Sequence, residues 1–347
     1  MVKKKTHVSK IQNHGGGPPW SDFNRDVLNL VMMELGVVDF VSFSGVCKSW
    51  RSLALANKIR FMACKPPMEL YFITEWSNKT DVYSLVDFKG RRFKILLPES
   101  GGRRCVGLTC GYLVFLVTKS CDILLMNPIT RHVIGFPPVP CNNFYPSSPT
   151  RIGVTVILVF SQSTFTWVLV VLRRHTTKIW FSIAGKGEWG SISSYYRIID
   201  VHECKGKIYA LDTELRLYEL GLDLEPKLTL LKTKNTFGRN LMFPEFVSSG
   251  ENLYAMERFS WYERDYKIHK LDFGEMKWVS PDENSTEDYV FFVCERKHNA
   301  AIKPGLWSES GSWLRYKNRR SSGNIMFLNT GMWYFPHDCL KVNFIHE

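Results

Sequence analysis

The apolar positions of the chain follow two different rhythms. Over residues 20–62, Val27, Leu28, Val31 and Leu35 fall at i, i+1, i+4 and i+8, one stripe at helical period. Asp22 or Asn24 is placed to cap this first helix, and Gly36 to stop it. Asp39 is expected to cap a second helix carrying Phe40, Phe43, Val46 and Cys47, with Gly45 inside it at a cost of about 1 kcal/mol relative to Ala. A third run, Lys48 to Ile59, brings Trp50, Leu53 and Leu55. Three helices in about forty residues bury little surface, so such a unit needs a partner or an adjoining domain.

From residue 68 onward the rhythm shortens. Segments rich in Val, Ile, Tyr, Phe and Trp alternate with turn signals, as in strands and hairpins. A strand–turn–strand element recurs six times, beginning near Asp81, Cys121, Thr177, Glu214, Asp265 and Ser312. The copies are on average about 46 residues apart, the length of one propeller blade. A second hairpin element lies between them, at Gly111, Gly206 and Gly250, with a weaker version near Cys294. Two hairpins per period make four strands, one blade. The spacing predicts a mainly β fold, a β-propeller of six four-stranded blades; a pair of β-sandwiches with coincidental spacing is the alternative.

The longest apolar stretch, Ile152 to Leu172, is long enough to span a membrane. It is broken by Ser161, Gln162, Ser163 and Thr164 and is rich in β-branched residues, so it reads as two buried strands joined by a turn. No membrane association is expected. Residues 1–19 read as a flexible basic tail and linker: Lys3, Lys4, Lys5 and Lys10, then three glycines and two prolines. They supply four of the twelve excess positive charges of this 347-residue chain. The other basic clusters, at Arg91–Arg92, Arg103–Arg104, Arg173–Arg174 and Arg315 to Arg320, fall at predicted turns. Solvated charges guarding sheet edges explain them better than a nucleic-acid surface.

Nine scattered cysteines with no Cys-x-x-Cys, and no signal-like apolar segment at the start, lead us to expect a reduced, intracellular chain. Neither metal-ligand spacing nor a nucleophile motif is present, so no metal, cofactor or catalytic residue is expected. His202 and His269, each beside a strand, read as satisfied surface or core residues.

The stretch from Trp20 to about Ala56 reads W-S-D-F-N-R-D-V-L-N-L-V and then V-V-D-F-V-S-F-S-G-V-C-K-S-W-R-S-L. Downstream come N-P-I-T-R from Asn127, K-I-Y-A-L-D from Lys207, L-Y-E-L from Leu217 and K-L-D-F-G-E-M-K-W-V from Lys270. In these motifs the chain resembles plant F-box proteins with a C-terminal KIB-type domain. Val46, Cys47, Lys48, Trp50 and Arg51 fit that family's V-C-K-x-W-R ending, while its usual Leu-Pro start is replaced by Phe23 and Asn24.

The resemblance implies a small three-helix F-box over 20–62, following the tail of 1–19, and a kelch-like propeller domain over 63–347. It implies a non-catalytic substrate receptor of an SCF-type ubiquitin ligase, working in the nucleus or cytoplasm. The F-box would bind a Skp-type adaptor, and through it cullin, while the propeller recruits an unknown target protein. Candidate adaptor contacts are Phe23, Asn24, Val27, Leu28, Val31, Val38, Val46, Cys47 and Trp50. Two loops are candidate target contacts: the Pro-rich stretch with Pro138, Phe144 and Tyr145, and the acidic stretch with Asp282 and Glu283. The alternative is a ligase-independent propeller scaffold with a degenerate F-box.

Overall fold

The computed structural model describes residues 20–74, 81–96, 103–117, 120–140, 153–161, 165–222, 225–237, 242–249, 251–258, 266–280, 289–294, 299–303, 307, 319–322 and 325–336. The chain divides into two compact units, Met1–Phe61 and Met62–Glu347.

In the first unit a 3-10 turn, Trp20–Asp22, leads into α1 (Arg25–Glu34), α2 (Val37–Ser44) and α3 (Lys48–Ala63). Asn24 is the N-cap of α1: its Oδ1 accepts from the backbone N–H groups of Asp26 at 2.8 Å and Val27 at 3.3 Å. Gly36 opens α2 rather than closing α1, and Asp39 lies within the first turn of α2, where its charge meets the positive helix end instead of capping it. Gly45 is not inside α2 but just beyond it, its N–H donating to Ser42 O at 3.0 Å. The expected helix-interior cost of that glycine therefore does not arise.

The apolar stripe of α1 resolves into two rows. Leu28 and Met32 are buried, as are Phe40, Phe43, Leu53 and Phe61. Val27 and Val31 remain about half exposed. Positions i and i+1 on a helix point about 100° apart, so a single packing face cannot take both rows.

In the second unit β1 (Met68–Thr74), β2 (Asp81–Val86) and β3 (Arg92–Leu96) form an antiparallel meander. A four-stranded sheet follows in chain order, β4 (Arg104–Thr109), β5 (Tyr112–Leu116), β6 (Ile123–Met126) and β7 (Val133–Phe136). Seven further strands pair consecutively: β8 (Val154–Ser161), β9 (Thr166–Arg173), β10 (Thr176–Ile183), β11 (Trp189–Cys204), β12 (Lys207–Asp212), β13 (Leu217–Gly221) and β14 (Lys227–Leu231). The long β11 serves two sets. Its first part pairs with β10 up to Ser193 and, past a bulge, once more at Ile198, from which it also pairs with β12.

Another antiparallel meander is built from β15 (Met242–Ser248), β16 (Leu253–Arg258), β17 (Tyr266–Asp272) and β18 (Lys277–Val279). One parallel bridge, Ser248 to Ala300, joins it to β19 (Val290–Cys294), β20 (Ala300–Ile302), β21 (Arg319–Ser322) and β22 (Ile325–Thr330). Finally β23 (Trp333–Tyr334) returns to pair with β1, setting Trp333 opposite Glu69.

Five of the six predicted strand–turn–strand copies coincide with observed hairpins, and Ile152 to Leu172 is the antiparallel pair β8–β9. The start of the sixth copy, at Ser312, lies outside the described residues; its later part is the antiparallel hairpin β21–β22, and β22 also pairs parallel with β19. The second hairpin element owes its form to its glycine. Cys110–Gly111 and Lys205–Gly206 are two-residue turns with φ of 47° and 74°, and of 55° and 74°, as tight right-twisting hairpins require.

Strands buried on both faces explain the continuous apolar runs. In β9, Trp167, Leu169 and Val171 join one core layer, while Val168, Val170 and Leu172 join the next. The same alternation divides Ile208 and Ala210 from Tyr209 and Leu211 in β12, and Val290 and Phe292 from Phe291 and Val293 in β19. The core is thus a series of layers between successive strand sets. No helix among the described residues is long and apolar enough to cross a membrane.

The β1–β23 seam carries a buried carboxyl. Glu69 accepts a hydrogen bond from the Tyr71 hydroxyl. Burial pushes the Glu69 pKa up from 4.5, against the lowering effect of hydrogen bonds with Tyr71 and Thr330. Tyr71 is pushed up to about 12, by burial and then by Glu69. A folded pKa above the unfolded value means that the folded state holds this proton more tightly. Stability is then full below the unfolded pKa and declines as pH rises through the folded one. Glu69→Gln is expected to flatten that decline in urea-unfolding curves taken from about pH 4 to pH 7. An unchanged slope would contradict it.

Candidate functional site: the exposed helical face and the inner-strand cavity

The row of α1 left uncovered extends into the turn before it. Trp20, Phe23, Val27, Leu30 and Val31 are all exposed, Leu30 at 69%; spacings of three and four residues place Val27, Leu30 and Val31 on one side of α1, and Trp20 and Phe23 lie in the turn before it. Trp50 organises the start of this row. Its ring packs on Phe43 at 4.5 Å and stands edge-on to Trp20 at 6.0 Å and Phe23 at 6.5 Å. Its indole N–H donates to Trp20 O at 2.9 Å. Hydrophobic burial is favourable, so an apolar row held open by an aromatic hub is suited to be covered by a partner's helices.

Of the predicted contacts, Phe23, Val27, Val31 and Val46 are exposed, Val38, Cys47 and Trp50 are half-buried, Asn24 caps the helix, and Leu28 belongs to the core. Trp20 and Leu30, outside that set, are exposed too, as are Leu55 and the 75% exposed Ile59 on α3. Leu30 was legible: it stands three residues after Val27 and seven after Phe23.

In the β unit the strands β4, β8, β11, β15 and β20 line a cavity of about 820 Å³. Side chains stitch its walls together. Thr109 Oγ1 accepts from the Leu158 N–H at 2.8 Å, Cys110 Sγ donates to Leu158 O at 3.2 Å, and His202 Nε2 is hydrogen-bonded to Ser248 Oγ at 2.9 Å. At its edge the Lys303 ammonium lies 4.7 Å over the Tyr289 ring. His202 is therefore a satisfied residue, as expected, and so is His269, bonded to Glu257 at 3.0 Å and stacked on Phe237. These contacts hold neighbouring strands in place around a mainly apolar space with a few polar groups on its wall.

Buried carboxylates make the longer ties. Asp200, fully buried, accepts from the N–H groups of Val201 and Phe246, both at 2.7 Å, joining β11 to β15. Arg174 corrects the reading of its cluster as solvated edge charge. Its side chain is only 12% exposed and donates to Ile199 O at 2.7 Å and Glu245 Oε1 at 3.0 Å. Glu245 Oε2 in turn accepts from Asn299, whose Oδ1 accepts from the Cys294 N–H. Arg91, by contrast, is an exposed turn residue paired with Asp87.

Asp212 is used four times over. It accepts from the N–H groups of Glu214 at 2.8 Å and Arg216 at 3.0 Å, from Arg216 Nε at 2.8 Å, and from the Tyr218 hydroxyl at 2.9 Å. Burial, then the bond to Asp212, pushes the Tyr218 hydroxyl up to about 12. Asp212→Ala should cost about 3 kcal/mol, because it leaves a guanidinium and three part-buried donors without their shared acceptor. A loss of less than about 1 kcal/mol in urea-unfolding free energy would contradict the assignment.

Pro138 is exposed. Phe144, Tyr145, Asp282 and Glu283, the other predicted loop contacts, lie outside the described residues.

The sequence model of the KIB1-4 beta-propeller matches residues 82–305. The chain belongs to that family. The F-box domain model matches residues 20–62, the span of the three helices and the turn before them. This KIB1-4 propeller chain is 29% identical over 133 residues to the F-box protein At1g10110 of Arabidopsis thaliana, covering 37% of this chain and 30% of the relative. It is 30% identical over 135 residues to the F-box/kelch-repeat protein At1g57790 of the same plant, covering 38% and 36%. The chain thus spans about a third of the length of these curated relatives. Among solved structures, a virginiamycin B lyase from Staphylococcus aureus with quinupristin aligns over 62% of this chain and 68% of its own, at 12% identity and a TM-score of 0.38. YCF48 from Cyanidioschyzon merolae aligns over 62% and 70%, at 11% identity and a TM-score of 0.37. At those scores neither bears on the chemistry.

Proposed function

We propose that this chain is the substrate-recognition subunit of an SCF-type ubiquitin ligase. The observation that carries the reading is the uncovered apolar row Trp20–Phe23–Val27–Leu30–Val31 within the stretch matched by the F-box model. A Skp-type adaptor covers this row and connects the chain to cullin, and the β unit recruits the protein to be modified. The chain performs no chemistry of its own in this scheme. Residues 1–19 act as a basic tail, 20–62 as the F-box, and 63–347 as the recruiting domain, in the nucleus or cytoplasm. Six blades fit the strand pairing, with β11 shared by two sets and β23 closing the first. Co-expression with a Skp-type adaptor and purification on a tag carried by this chain tests the reading: a stoichiometric complex is expected. Stable partners of the β unit recovered without any adaptor would favour the scaffold reading instead.

A further inference from the structure

One face of the β unit gathers cations around a single exposed ring. Where β11 passes from one strand set to the next, Lys178 pairs with Ser193 and Thr176 with Ile198, so four residues, Ser194 to Arg197, stand opposite Thr177 alone. A bulge of this kind re-aims side chains. It leaves Tyr195 89% exposed and Arg197 exposed beside it. Two turns close on the same point: the His175 N–H donates to Ile198 O at 2.7 Å and the Thr213 N–H to Arg197 O at 2.9 Å. Arg173 and Lys178, on the strands next to this bulge, are also exposed, the Lys178 ammonium lying 5.5 Å over the Trp180 ring, and Glu214 is an exposed acid on the adjoining turn.

The ring is positioned from below. Tyr195 meets Tyr196 edge-on at 4.8 Å, and Tyr196 lies 3.3 Å under the Arg216 guanidinium. Arg216 is fixed in turn by the fully buried Asp212. Tyr195 thus presents an open ring beside a neighbour tied to the core, and an aromatic side chain that a partner can bury is the kind of residue that anchors an interface.

We propose that this surface docks an acidic segment of the recruited protein, with Tyr195 as its aromatic anchor and Arg173, Lys178 and Arg197 as its charge complement. The inference rests on the receptor reading for its biological role and names the kind of target that the β unit takes. A single-stranded nucleic acid would need successive stacking platforms, and here one ring is offered.

The test is fluorescence anisotropy of the full chain with a fluorescein-labelled dodecapeptide of Glu-Glu-Tyr repeats. Tyr195→Ala and Arg197→Glu should each weaken binding about tenfold or more. Lys227→Glu, an exposed change of equal charge on β14, should leave it within about twofold. Thermal melts should match the parent chain, since both patch side chains are exposed. The proposal is overturned if Tyr195→Ala binds like the parent, if Lys227→Glu weakens binding as much as Arg197→Glu, or if a dT12 oligonucleotide displaces the peptide as well as unlabelled peptide does. No adaptor is present in this titration, so its failure leaves the receptor reading intact, and a failed adaptor purification leaves the docking surface intact.

Discussion

Trp333→Ala should lower the stability of the β unit by about 4 kcal/mol, near the upper end for loss of a buried aromatic. The indole is fully buried, edge-on to Phe292 at 4.9 Å, in the layer that also holds Val290, Leu328 and Phe335. Its N–H donates to Val293 O at 3.1 Å and Leu328 O at 3.2 Å, so it bonds to the last two long strands, β19 and β22. Its own backbone pairs with Glu69 of β1. A single residue therefore joins the end of the sheet series to its beginning. Truncation leaves a cavity that these packed strands cannot fill.

The site of the damage is as diagnostic as its size. The β1–β23 pairing is only two residues long, Met68 to Tyr334 and Glu69 to Trp333, and is continued by the Leu70 N–H donating to Met332 O at 3.0 Å. Native-state hydrogen exchange should show the Leu70 amide losing protection first in Trp333→Ala, while β9 amides keep theirs. Trp333→Phe, which refills most of the space, should cost about 1–2 kcal/mol. Uniform loss of protection across the unit, or a cost below about 1 kcal/mol for Ala, would mean that the seam is not held by this side chain.

How much of this was legible follows from which signals are local. The hairpins at Asp81, Cys121, Thr177, Glu214 and Asp265 could be read because turn residues and two-sided apolar strands are written into adjacent positions. The parallel pairing of β19 with β22 could not, since it joins residues thirty-six apart and leaves no mark in either segment. Arg174 was misread for a related reason. An arginine in a turn looks solvated until the fold brings Glu245, seventy-one positions away, to its guanidinium. Asp200, inside β11, and Asp212, at the end of β12, are likewise illegible, because a carboxylate in a strand sequence shows nothing of the backbone donors it will meet. In α1 the information was present but merged: Val27 and Leu28 were counted as one stripe, when the first faces outward and the second inward.

That separation of rows allows adaptor docking to be tested apart from folding. Val31→Glu places a charge on the uncovered row, at a position already 46% exposed, so the helical unit should keep its helix content. Adaptor affinity should nevertheless fall about a hundredfold, or roughly 2.7 kcal/mol, because the row's burial is lost and a carboxylate must be desolvated. Leu30→Glu should behave alike. Trp50→Ala acts by a different route. It removes the hub joining Trp20, Phe23 and Phe43, and so should weaken the adaptor complex together with the helical circular dichroism and its melting temperature. Calorimetric titration of the adaptor into each variant, alongside its melt, separates the two. Lys227→Glu on the β unit controls for net charge. If Val31→Glu and Leu30→Glu both bind the adaptor like the parent chain, the apolar row is not the docking face, whatever Trp50→Ala does.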